Sequence, residues 1–357
     1  MAIWMRSRTW LRFEPCEPAI AFEGRVAAVK QLVPGLHVTA LVAMAAAFLG
    51  SHYKGSMLLF ALLLGLALHF ISEDERCLLG IQFASSTVLR LGVALLGLRL
   101  TIANVGALGW QTVLALLCSV FLTLLAGLGL AKLLKIEGSL GLLVGGATAI
   151  CGASAALAIA SVLPKYPNLE RDTALTVVCI TTLSTLAMVT YPLLTHWLGF
   201  DALTSGKFIG ATIHDVAQVV GAGYSLSPAA GDAATITKLM RVAFLMPVLV
   251  IISLSVRGQR ARQQPGAAPG PKTPLLPWFT VAVVALMLFN STGWVPPAVQ
   301  SAASDLSQGF LVLAIAGVGL KTALKDVTQL GWRPVLMLVL VTLVLAVMSA
   351  VYLLLTH

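Results

Sequence analysis

"TAICGASAALAIAS" (residues 148–161) lies within an apolar stretch long enough to enter a bilayer, yet it is built from Ala, Gly and Ser around a single Cys. A segment that only had to be greasy would use Leu, Val and Phe, as this chain does nearly everywhere else. Small residues at membrane depth have two physical uses. They let neighbouring helices approach closely, or they allow a backbone break, tolerated only where it is buried or lines a wet cavity. A faint echo occurs downstream. "GATAICGAS" (146–154) and "GATIHDVAQ" (210–218) both open Gly-Ala-Thr, and each precedes a span that opens Asp-x-Ala, at Asp172 and Asp232.

The rest of the chain fixes the setting. Of 357 residues, 58% are apolar and 10% charged, against roughly 25% charged in ordinary soluble domains. Apolar runs fall near 33–50, 56–72, 82–103, 110–133, 140–164, 172–196, 205–228, 233–256, 276–292, 300–320 and 333–356. This predicts an all-α polytopic membrane protein. The net charge of +9 gathers in loops, the positive-inside pattern, so nucleic-acid binding is not expected. A basic leader (1–32) with Arg6, Arg8, Arg12, Arg25 and Lys30 reads as cytoplasmic. The Gly/Pro-rich connector 257–275, with Arg257, Arg260, Arg262 and Lys272, falls on the same side. It separates a first membrane part, 33–256, from the last three spans, 276–357. "SEDERC" (72–77) reads as a solvated loop, and Trp110, Trp197, Trp278, Trp294 and Trp332 as interfacial anchors. Five cysteines without paired spacing give neither a disulfide frame nor a metal site.

Residues 89–116 and 311–338 align without a gap and share 12 of 28 positions, among them Gly97/Gly319 and Trp110/Trp332, with Arg99 opposite Lys321. Counting crossings puts Arg99 outside and Lys321 inside, so the copies run oppositely. That is the inverted repeat of secondary transporters. If 140–164 and 205–228 are re-entrant hairpins they are inverted too. The expected architecture is therefore about nine full spans and two re-entrant hairpins or broken helices.

Three constellations carry candidate chemistry. At the small-residue stretch, Cys151, Gly152, Ala153 and Ser154 would present backbone donors and a hydroxyl to an anion. In 210–223, His214 and Gln218 are candidate substrate contacts, and Asp215 a candidate coupling-ion or proton carrier. Lys238 and Arg241 share one helix face at depth, and Arg90 is similarly deep; cations with few acidic partners point to an anionic guest. Structural ion pairing of Arg90 or Arg241 with Asp215 or Asp172 is the alternative. No metal site, cofactor or nucleotide-binding loop is visible, so transport would be driven by a gradient of protons or sodium.

The motifs "GGATAICGASA", "GATIHDVAQVVGAG" and "TKLMRVAFLMP", with "GIQFASSTVLRLGVALLGLRLT", resemble the YeiH-type sulfate exporter family of bacterial inner-membrane proteins. The resemblance runs from about residue 30 to the C-terminal end. It implies a multi-pass inner-membrane location, and it makes sulfate or a related sulfur oxyanion or sulfonate the expected substrate. The N-terminus would be cytoplasmic, and a homodimer is compatible with this reading. A cation-coupled carboxylate symporter or cation/proton antiporter is the alternative function. An intramembrane enzyme using Cys151 or the His214–Asp215 pair is the remote one; the chain is not expected to be an enzyme.

Overall fold

The computed structural model describes residues 22–53, 56–164, 166–263, 278–322 and 332–356, and among them every regular element is helical. Most of the leader (1–32), Lys165, the end of the connector 257–275, and Lys325 lie outside the described residues. Sixteen α-helices are described: α1 (Phe22–Tyr53), α2 (Met57–Ala67), α3 (Glu75–Phe83), α4 (Leu89–Leu96), α5 (Ile102–Leu108), α6 (Trp110–Leu133), α7 (Gly138–Ala149), α8 (Ala153–Val162), α9 (Leu169–Trp197), α10 (Ala202–Thr212), α11 (Val216–Leu226), α12 (Pro228–Ala243), α13 (Leu245–Gln263), α14 (Trp278–Ser291), α15 (Pro297–Lys321) and α16 (Trp332–Thr356). Among the described residues, seven helical stretches are long and apolar enough to cross a membrane.

Two boundaries differ from the sequence reading, each for a local reason. "SEDERC" is not all loop. Asp74 caps a helix by accepting from the Arg76 amide, and Glu75 sits in the first turn, where a carboxylate complements the positive helix end. The helix then runs continuously from Glu75 to Leu96, through a π-helical turn at Ala84–Val88. The connector is also shorter than expected, because α13 continues to Gln263. These five tryptophans are exposed, Trp110, Trp197, Trp278 and Trp332 at helix ends and Trp294 in the loop between α14 and α15.

The small-residue stretch breaks the helix. Ile150 leaves helical geometry and Gly152 adopts φ +63°, the left-handed region that favours glycine. α8 then runs back along α7, since any side chain on Gly146 would collide with Ile159. The second pair behaves likewise. A Cβ on Gly206 would meet the Ala230 carbonyl at 2.5 Å, and one on Gly210 would meet Thr237 Cβ at 2.7 Å, so α10 runs parallel to α12. α11 joins α12 through Ser227 alone, and a Cβ on Gly223 would meet Gly231 Cα at 2.9 Å, which makes it antiparallel to α12. α10 and α11 therefore turn back on each other around 213–215. Each half-helix of 10 to 12 residues reaches ~15–18 Å, about half of a ~30 Å hydrocarbon layer.

The helices sort into two bodies. α1 to α4 pack with α14 and α15; α6 to α12 pack with α16. The last three spans are thus shared between the bodies: α14 and α15 go to one and α16 to the other. The stretch Pro228–Ser255 is 61% buried against 22% for Lys30–Tyr53, which marks α12 as the centre of the second body, the core.

Candidate substrate site

The two turns meet. A Cβ on Gly152 would lie 3.4 Å from His214 Cβ, so the tip of one folded-back pair touches the tip of the other. α7 and α10 both end there, and each helix C-terminus leaves carbonyls without intrahelical partners. Two fully buried cations from α12 satisfy them. Lys238 Nζ donates to the Ile150 carbonyl (2.7 Å) and the Ile213 carbonyl (2.9 Å). Arg241 Nε donates to the Ala149 carbonyl (3.0 Å), and its terminal nitrogens donate to the carbonyls of Thr148 (2.8 Å), Ala149, Ala211 and Gly210.

Each helix C-terminus carries about −0.5 of charge, so the two converging ends attract both cations. The expectation that Lys238 and Arg241 contact an anion meets a different geometry: the hydrogen bonds they make go to backbone carbonyls, and they clamp the two tips together.

His214 is also turned inward. It is 1% exposed, with Nδ1 3.3 Å from the Thr148 carbonyl and Nε2 3.1 Å from the Thr342 hydroxyl. A carbonyl only accepts, so Nδ1 carries the proton and Nε2 accepts from Thr342. The imidazole pins α16 to both tips. Ser184 Oγ accepts from the amides of His214 (3.2 Å) and Asp215 (3.0 Å), fixing the second turn from α9.

Asp215 and Gln218 face the other way. Asp215 caps α11, accepting from the Ala217 amide at 2.8 Å. With Gln218 it lines a cavity of about 260 Å³ between the two bodies. The core also contributes Ala153, Thr181 and Thr182, and the other body contributes Ser85, Lys321 and Thr322. Both α8 and α11 begin here, so their amide ends give the cavity positive potential. Gln218 Nε2 donates to Thr185 Oγ1 (3.3 Å), whose own proton goes to the Thr181 carbonyl (2.9 Å). That fixes the amide orientation and leaves Gln218 Oε1 buried without a partner.

Of the residues picked from sequence, the structure brings Ala153, Asp215 and Gln218 to this cavity. Cys151 and Gly152 form the buried turn behind it. Ser154 does not join them; it is exposed on the face that carries Leu157. Arg90 is exposed and makes no hydrogen bond among the described residues, though its charge, like that of Lys321, acts on Asp215. Sequence reasoning missed Ser85, Thr181 and Thr182, and it read Lys321 only as the inside counterpart of Arg99 in the repeat, not as a site residue. The signals were there: "ASSTV" is a hydroxyl run that forms the π-turn, and such turns often mark functional sites. "ITTLST" (180–185) is a second run inside an apolar helix.

Comparison with known proteins places the chain among membrane proteins. Residues 34–339 match the model of a family described as conserved hypothetical protein 698. A UPF0324 membrane protein of Chlorobaculum tepidum is 48% identical over 332 residues, covering 92% of each chain. The UPF0324 membrane protein TauZ of Paracoccus denitrificans is 47% identical over 321 residues, 89% of this chain and 94% of its own. One from Rhizobium meliloti is 48% identical over 314 residues, 88% of this chain and 90% of its own. No solved structure matches. The match over most of the length, through both tip motifs, makes this chain a member of the UPF0324 family of multi-pass membrane proteins, in keeping with its resemblance to the YeiH-type proteins.

Proposed function

We propose that the protein is a secondary active transporter of a small anion, sulfate or a related sulfur oxyanion or sulfonate, bound in the cavity at the tips. The observation that carries this reading is the convergence of two folded-back helix pairs on a polar cavity between two bodies, with helix amide ends, Lys321 and hydroxyls around it. Broken helices around a midplane site are the arrangement by which secondary transporters bind polar guests. Lys321, Arg90 and the amide ends of α8 and α11 supply the positive potential, while Lys238 and Arg241 hold the frame. Loop charge supports a cytoplasmic N-terminus in a bacterial inner membrane. Sulfur-anion preference rests on the family resemblance.

A specific observation favours cation coupling as part of the same cycle. Asp215 and Gln218 line the cavity about one helical turn apart, and Gln218 Oε1 is a buried acceptor without a partner among the described residues. A proton on Asp215, or a sodium ion between the two oxygens, would complete them. The test is uptake of labelled sulfate, sulfite, taurine and a dicarboxylate into proteoliposomes under imposed proton or sodium gradients. Movement of the dicarboxylate alone would overturn the sulfur-anion reading and favour a carboxylate symporter. Movement of no solute under any gradient would overturn the transporter reading.

A further inference from the structure

Arg99 and Lys321 occupy the same position of the internal repeat, yet the structure gives them different neighbours. The repeat is visible in space as well as in sequence. A Cβ on Gly97 would meet the α14 carbonyl of Val283 at 2.6 Å, and one on its counterpart Gly319 would meet the α2 carbonyl of Leu62 at 2.5 Å. Each copy thus packs on the helix that precedes the other. Two residues on, the equivalence fails.

Arg99 reaches across to the core and is latched. Its Nε lies 3.0 Å from Asp232 Oδ1, and its Nη1 donates to Ser304 Oγ at 3.4 Å. Tyr224 donates its hydroxyl to the same carboxylate at 2.5 Å, and its ring lies 5.5 Å below the guanidinium. This contact is at the far end of α11 and the start of α12. Lys321, by contrast, lines the cavity at the tips and makes no ion pair among the described residues. At the start of α9 stands a second Tyr–Asp pair, with no ion pair to it among the described residues: Tyr166 donates to Asp172 at 3.1 Å. Asp172 is the repeat counterpart of Asp232, since both open the span that follows a tip motif.

We infer that Arg99–Asp232–Tyr224 and Lys321–Asp172–Tyr166 are two alternative latches, one at each end of the core, and that only one closes at a time. The proposal rests on the transporter reading above. In this structure the Arg99 latch is shut, and the cavity borders the unlatched Lys321. Repeat-related cations that meet the core at its end and at its middle report a core displaced along its length. Sliding it until Lys321 reaches Asp172 exchanges the two situations. The travel is about one half-helix, roughly 15 Å, and the pairs formed and broken are of the same type, so the two states stay close in energy.

Paired cysteines test this in the full chain, with the five native cysteines replaced by alanine and folding checked by gel filtration in detergent. Arg99→Cys with Asp232→Cys, and Lys321→Cys with Asp172→Cys, should each cross-link in membranes. In a chain carrying both pairs, locking the first should lower the yield of the second by about tenfold or more. A Lys321/Asp172 pair that never cross-links, or two pairs that close together, overturns the latches even if uptake is intact. Reciprocal cross-linking without uptake of any solute would keep the latches and remove the transporter reading. If the cysteine-free chain does not fold, charge exchange in the native background replaces it. Arg99→Asp should lower uptake and added Asp232→Arg should restore it, since neither residue lines the cavity; absence of rescue counts against the latch.

Discussion

Replacing Lys238 by Met separates a clamp from a binding residue. The substitution keeps a long, flexible side chain but removes the donor and the charge that hold the carbonyls of Ile150 and Ile213. Each buried acceptor left without a partner costs about 1–3 kcal/mol, so two cost about 2–6 kcal/mol. With an unfolding entropy of about 2.1 cal/mol/K per residue and 357 residues, 1 kcal/mol corresponds to roughly 1.3 °C. Lys238→Met should therefore lower the melting temperature in detergent by roughly 3–8 °C. The loss should appear equally with and without the transported anion. Lys238→Arg, which keeps donors and charge, should recover part of it. The assay is thermal unfolding followed by the monodisperse fraction on gel filtration, paired with anion affinity of the surviving protein. An unchanged melting temperature together with a lost anion affinity would refute the reasoning and return Lys238 to the substrate.

The other predictions follow from the same geometry. Thr342→Val leaves His214 Nε2 without its donor and should destabilise by about 1–3 kcal/mol while solute preference in uptake is unchanged; a switch of preference at wild-type stability would contradict the pin. Gly152→Ala forces a side chain into the left-handed region beside His214 and should cost about 1–2 kcal/mol, seen as a drop of roughly 1–3 °C in melting temperature. Asp215→Asn should leave solute counterflow intact but remove its dependence on an imposed proton or sodium gradient; retained gradient dependence would exclude Asp215 as the coupling group.

Much of the fold was legible because a bilayer writes its constraints plainly into sequence. The apolar run at 110–133 has the limits of α6, and the break at "ICG" follows from small residues and a glycine where Leu and Val would otherwise stand. The functional roles of the deep charges were harder to read. Lys238 and Arg241 look like anion ligands when only side chains are counted, because the charge they answer is carried by backbone carbonyls. Helix ends have no letter of their own in a sequence. Ser154 was misplaced for a simpler reason: a rotation of about 100° per residue sends neighbours of Ala153 to opposite faces. Lys321 was hidden by its position at the end of a span, where a lysine usually means only a loop.

The clamp has one more consequence. Because one lysine and one arginine hold carbonyls from both turns at once, neither tip can shift without breaking bonds that also belong to the other. The wall of the guest's compartment formed by the core is therefore a single stiff piece. Only the opposite wall, with Ser85 and Lys321, is free to be exchanged. In the proposed transport cycle a guest riding on such a piece would keep most of its partners, crossing without being fully released and recaptured. Only the aqueous phase in front of it would change.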